Sequence, residues 1–92
     1  MEITNYSVSQ IKDPTGIIAG ERYEFLLDVE VDEEDELYTE GGLELRVILA
    51  VEDTNTRIVF YNFIDKLSRT VLEFALEEDE EAEVLAYCQG KL

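Results

Sequence analysis

A chain of 92 residues with 23 acidic and seven basic side chains, and so a formal charge of −16, has room for one domain and one core but not for a deep interdomain cleft. Such a field repels nucleic-acid phosphates and anionic lipid head groups, so direct nucleic-acid binding and membrane-surface binding are not expected. Histidine is absent and Cys88 is the one cysteine, which removes the Ser-His-Asp mechanism, the usual zinc ligand and an internal disulfide together.

The first element is a strand over residues 3–11, where Tyr6, Val8 and Gln10 share one parity and Ile3 and Ile11 the other, so a bulge is expected. Asp13-Pro14-Thr15-Gly16 then places Asp, Pro and Gly at the first, second and fourth positions of a β-turn. From Ile17 the chain turns extended again. Gly20 either marks a bulge or separates Ile17 and Ile18 from the strand proper, in which Tyr23, Phe25, Leu27, Val29 and Val31 face one way and Glu24, Asp28 and Glu30 the other.

Residues 32–42 form the longest break between strands. Asp32, Glu33, Glu34, Asp35 and Glu36 make an irregular loop or one helical turn capped by Asp32, with Leu37 and Tyr38 tucked back and Gly41-Gly42 launching the next strand. That strand, residues 43–51, is apolar at Leu43, Leu45, Val47, Leu49 and Val51 and apolar again on its other face at Ile48 and Ala50, the pattern of a central strand. Residues 52–56 read as a hairpin connection. Residues 57–64 are apolar on both parities, Ile58, Phe60 and Ile64 on one and Val59, Tyr61 and Phe63 on the other, so both faces need cover and one helix supplies only one. A helix using Ile58, Tyr61, Ile64 and Leu67 ranks second, because β-branched and aromatic density favours a strand. A turn at residues 65–69 and a short strand at 70–76 follow. The last segment, residues 77–89, changes to helical period, with Ala82, Leu85, Cys88 and Leu92 on one side flanked by Val84 and Tyr87. Its first turns are acidic and Gly90 stands at the C-terminal cap position, in accord with the helix dipole.

The expected architecture is a single α+β domain over residues 1–92: a mainly antiparallel sheet of about five strands in a meander, with the C-terminal helix packed on one face. Hydrophobic residues make up 46% of the chain, enough for it to fold in spite of its charge. No apolar run is long enough to span a bilayer, and the first four residues lack the basic start and apolar centre of a signal peptide, so the cytoplasm is the expected address.

Motifs for chemistry are sparse. Gly41-Gly42 precedes a strand instead of a helix N-terminus, so no phosphate-binding loop is formed. Taking Asp28, Glu30 and Asp32 as positions one, three and five of a calcium loop puts Thr39 where Glu and Glu33 where Gly are required, and the EF-hand reading fails. Cys88 lies on the apolar stripe with no imidazole partner and is read as packing. No cofactor is expected.

The runs Asp13-Pro14-Thr15-Gly16-Ile17-Ile18, Gly20-Glu21-Arg22-Tyr23-Glu24-Phe25-Leu26-Leu27-Asp28, Gly42-Leu43-Glu44-Leu45-Arg46-Val47-Ile48 and Phe74-Ala75-Leu76-Glu77-Glu78 resemble a small bacterial family of uncharacterised cytosolic proteins. The resemblance spans nearly the whole chain and implies no activity and no functional residues.

The leading expectation is therefore a noncatalytic interaction domain whose acidic surface meets a basic protein. Its contact residues would be Asp32, Glu33, Glu34, Asp35, Glu36 and Tyr38, with Val59, Tyr61 and Phe63 as an uncovered apolar face for docking or for forming a homodimer. Rival readings are a mimic of nucleic acid that inhibits a DNA- or RNA-binding protein, and a small-ligand or divalent-metal binder using surface carboxylates.

Overall fold

A computed structural model describes residues 1–16 and 20–92; the extended segment expected from Ile17 lies outside the described residues. Among those described, five strands pair antiparallel in sequence order: β1 (Glu2–Ile11), β2 (Glu21–Glu30), β3 (Leu43–Glu52), β4 (Asn55–Asp65) and β5 (Val71–Leu72). Helix α1 (Glu78–Gln89) closes one face. The meander and the central place of β3 are those expected, and the helical alternative for residues 58–67 is replaced by β4.

One face of the sheet carries the core. Phe25, Val47 and Tyr61 stand in one cross-strand row and Leu27, Leu45 and Phe63 in the next. Above them Val84 and Cys88 of α1 are fully buried, and Phe25, Leu27, Leu45, Val47, Leu49 and Phe63 have no solvent exposure. Each such side chain contributes about 1.5–3 kcal/mol on leaving water, so this face is where the fold is held.

The bulge in β4 decides which residues join that core. Ile48 pairs with Phe60 but Leu49 pairs with Ile58, leaving Val59 as the extra residue. A slip of one residue exchanges the faces of a strand. Ile58 therefore sides with Tyr61 and Phe63 beneath α1, whereas Phe60 and Ile64 look the other way. The expectation of an uncovered face made by Val59, Tyr61 and Phe63 is thus corrected: Phe63 is wholly buried, Tyr61 is half-buried, and only Val59 is exposed. The bulge expected in β1 is present at Thr4, between the pairs Ile3–Val29 and Asn5–Asp28.

Other boundaries moved for local reasons. The strand expected over residues 70–76 pairs only at Val71 and Leu72, because the Phe74 amide bends back to the Leu72 carbonyl at 3.0 Å and ends the ladder. Beyond the bend Leu76 turns inward, and its amide donates to the Tyr61 hydroxyl at 2.8 Å. Helix α1 begins after Glu77, whose amide donates to Glu80 Oε1 at 3.1 Å, the returning half of a capping box. Gly90 caps the other end in ordinary right-handed geometry. The apolar stripe is centred on Val84 and Cys88, with Leu85 and Tyr87 half-buried, while Ala82 and Leu92 are exposed.

The turns follow their chemistry. Asp13 accepts the Gly16 amide on its carbonyl at 3.3 Å and the Thr15 amide on its carboxylate at 3.0 Å. The β3–β4 hairpin is a two-residue loop, Asp53-Thr54, with Asp53 in the left-handed region that Asp tolerates. Gly20 stands directly before β2 at φ +72°, against the Val51 carbonyl, where a Cβ would collide with backbone.

Candidate functional site

Charge is unevenly spread over this scaffold. On the sheet face turned away from α1, hereafter the open face, Arg22, Ala50 and Arg57 form one cross-strand row and Glu24, Ile48 and Phe60 the next; then come Leu26, Arg46 and Asn62, followed by Asp28, Glu44 and Ile64. The described ion pairs all lie here. Arg46 Nε donates to Glu24 Oε2 at 2.7 Å with its guanidinium 6.0 Å from the Phe60 ring, Lys66 Nζ meets Asp28 at 2.9 Å, and Arg69 meets the buried Glu44 at 3.2 Å. Arg22, Arg46, Arg57, Lys66 and Arg69 are five of the chain's seven bases. Ala50, between Arg22 and Arg57 in the register, and Ile64 are buried on this face, which no helix covers among the described residues.

Ten of the remaining acids gather at two places, five in each. Asp32, Glu33, Glu34, Asp35 and Glu36 are all exposed, in two successive turns closed by the Asp35 amide on the Asp32 carbonyl at 2.9 Å and the Tyr38 amide on the Asp35 carbonyl at 3.0 Å. Tyr38 is 41% exposed, on the rim of a hollow of about 230 Å³ beside Val29, Thr39 and Leu43. Leu37 packs against the core, as expected. The second gathering, residues 77–81, sits at the start of α1, where Glu81 borders a hollow of about 320 Å³ with Ile58, Val59, Phe60 and Tyr61.

The loop and the β4 trio are not brought together. Tyr38 lies beside Leu43 and Val59 beside Leu49, six residues further along β3, or roughly 20 Å at 3.3 Å per residue. What the sequence reading missed is the open face, above all Phe60 at 51% exposure. Its signal was the apolar run on both parities of residues 58–64, which a strand needs if a bulge exchanges its faces midway.

Among the described residues no three His, Cys, Asp or Glu side chains converge on a point where a metal ion could sit. Burial pushes the Cys88 thiol up to about 12 from its ordinary 9.0, so it stays protonated and serves packing. Tyr23 is also raised, first by its hydroxyl's hydrogen bond to Glu21 at 2.6 Å, then by burial and by that carboxylate's charge. A hollow of about 610 Å³ lies at Gln10, Lys12, Pro14, Glu21 and Arg22. No helix is long and apolar enough to cross a membrane among the described residues.

Comparison with curated proteins and with solved structures returns no match. A family model does match, over residues 1–92, and it is described as a family of unknown function. The chain therefore belongs to that family, DUF6509.

Proposed function

We propose that this protein is a noncatalytic interaction domain that presents the loop of Asp32, Glu33, Glu34, Asp35 and Glu36, with Tyr38 at its edge, to a basic protein. The observation that carries the reading is the separation of charge: five of seven bases lie on the open face, with Arg46, Lys66 and Arg69 held there in ion pairs, while the loop's five carboxylates stand exposed. Structural roles do not account for both acidic gatherings equally. Acids at the start of α1 are stabilised by the helix dipole, by about 0.3–1 kcal/mol each, and Glu80 caps the helix. In the loop, Asp35 holds the Leu37 amide at 2.9 Å, and side-chain bonds of that kind do not require five consecutive carboxylates. Their mutual repulsion favours an oppositely charged surface placed against them.

The test is affinity capture from the native cell at low salt and at about 0.5 M NaCl, where exposed charges are screened beyond a few ångströms. Wild type is compared with the loop variant D32N/E33Q/E34Q/D35N/E36Q. A basic protein retained by wild type at low salt, released at high salt and lost by the loop variant supports the assignment. Retention by the variant, or a partner indifferent to salt, overturns it.

A further inference from the structure

Strand β1 is the edge of the sheet: it pairs with β2, and among the described residues no strand pairs with its outer side. A long free edge offers unpaired backbone groups to any chain that can approach, and proteins ordinarily blunt it with Lys, Pro or a charged side chain. This edge is not defended in that way. From Ile3 to Ile11 it has nine residues without a charge, the longest such run in a chain that is 33% charged. Tyr6, Val8 and Ile11 along it are each about two-fifths exposed. The opposite edge differs: β5 covers Phe63 and Ile64 of β4, and beyond it Tyr61 holds the Leu76 amide beside the start of α1.

The two bases that do not lie on the open face both lie at β1. Lys12 follows its last residue, and Lys91 Nζ sits 5.3 Å from the Tyr6 ring and 5.1 Å from the Tyr87 ring. Tyr6 is held in turn against Phe25 and, edge to face, against Tyr87. In a molecule of charge −16, the β1 edge is thus the rim at which two copies repel least, and it is already ordered.

We infer that β1 is a self-association edge: two copies join through antiparallel β1 strands into one continuous ten-stranded sheet, about a twofold axis at Ser7. The sequence of the strand complements itself in that register. Tyr6 stands opposite Val8 of the second copy, an aromatic and β-branched pair of the favourable kind, and Asn5 stands opposite Ser9. Beyond the bulge the direct pairing is offset by one residue, and Glu2 of one copy lies at the same end of the junction as Lys12 of the other. The ladder with β2 is regular from Asn5 to Ile11, so the bulge at Thr4 lies outside the central pairs. One competitor must be displaced, the Asn5 side chain that accepts the Tyr6 amide at 2.9 Å. This assignment is independent of the acidic loop and of its partner.

Because Ser7 lies on the axis, each copy meets its own substitution. Sedimentation equilibrium on wild type between about 1 and 100 µM should show a dimer. S7E and S7K should each weaken it by about fivefold, since like charges directly opposite are unfavourable, and an equimolar mixture of the two should restore it as a heterodimer. Ser7 is exposed, and far-ultraviolet circular dichroism establishes that both variants remain folded. F60S, on the open face, should leave the dimer unchanged. A wild type that is monomeric throughout overturns the proposal, as does a dimer insensitive to both Ser7 substitutions, a mixture that fails to restore it, or a dimer lost in F60S.

Discussion

Replacing Tyr61 by Phe separates a structural role for this residue from a binding one. Its hydroxyl accepts the Leu76 amide at 2.8 Å, and Leu76 is 8% exposed. The substitution keeps the ring but leaves a nearly buried N–H without its acceptor, at a cost of about 1–2 kcal/mol. With an unfolding entropy of about 2.1 cal/mol/K per residue, 92 residues give about 0.19 kcal/mol/K, so the loss lowers Tm by roughly 5–10 °C. The damage should be local as well as global, since this bond fixes the connection between β5 and α1. Thermal melting followed by circular dichroism measures the first effect, and hydrogen exchange at the Leu76 amide the second. A Tm within about 1 °C of wild type, together with unchanged protection at Leu76, would refute the tether and return Tyr61 to the list of candidate contact residues.

Three further outcomes are expected. The neutral Cys88 thiol, raised to about 12 from 9.0, contributes stability that is complete below pH 9 and is withdrawn as pH climbs towards 12. Urea melts against pH should accordingly show a flatter alkaline decline in C88A. Tyr23 is shifted in the same direction and should leave that variant a residual decline starting near its ordinary 10.0. The native thiol should also react with a disulfide reagent at pH 8 on the order of 100-fold more slowly than in urea. Among the glycines, G20A should cost about 2–4 kcal/mol, because its φ is positive and its Cβ meets the Val51 backbone carbonyl. G41A should cost less, about 1–2 kcal/mol, because its φ is not positive and the Leu67 Cβ it meets belongs to an exposed turn that must shift to admit it; the reverse order in denaturant titrations would contradict the close approach. Finally, Tm should rise with added NaCl. Three partly exposed ion pairs are each worth at most about 1 kcal/mol, less than the repulsion among 23 acids, and a fall in Tm would show that the pairs dominate.

The alternation of Tyr23, Phe25, Leu27 and Val29, and that of Leu43, Leu45, Val47 and Leu49, made the two central strands legible because a buried face imposes a period of two. The helix was legible from its change of period and its acidic start. Side-chain facing in β4 was not, since one inserted residue at Val59 exchanges the faces while leaving composition untouched, so Phe60 and Phe63 could not be told apart. The premature end of β5 escaped for a different reason: the bend at Phe74 and the anchor of Leu76 on Tyr61 join residues 15 apart in sequence, and no local preference encodes that contact. The open face was hidden likewise, because Arg22 and Arg57 become neighbours of Ala50 only through the register.

That register also decides how the two proposed surfaces relate. Glu2 pairs with Glu30, so the end of β1 that opens the chain lies at the same end of the sheet as the acidic loop after β2. An antiparallel junction at Ser7 therefore sends the loops of two copies to opposite ends of the ten-stranded sheet, and the most acidic segments are the ones held furthest apart. Joining the same strands in parallel would bring both loops to one end and add their repulsion to the cost of association. The antiparallel arrangement instead yields a twofold particle with one acidic loop at either end. A basic partner that is itself multivalent would be bound by such a particle with avidity, and S7E should reduce that gain in step with its weaker dimer while leaving the affinity of a single loop unchanged.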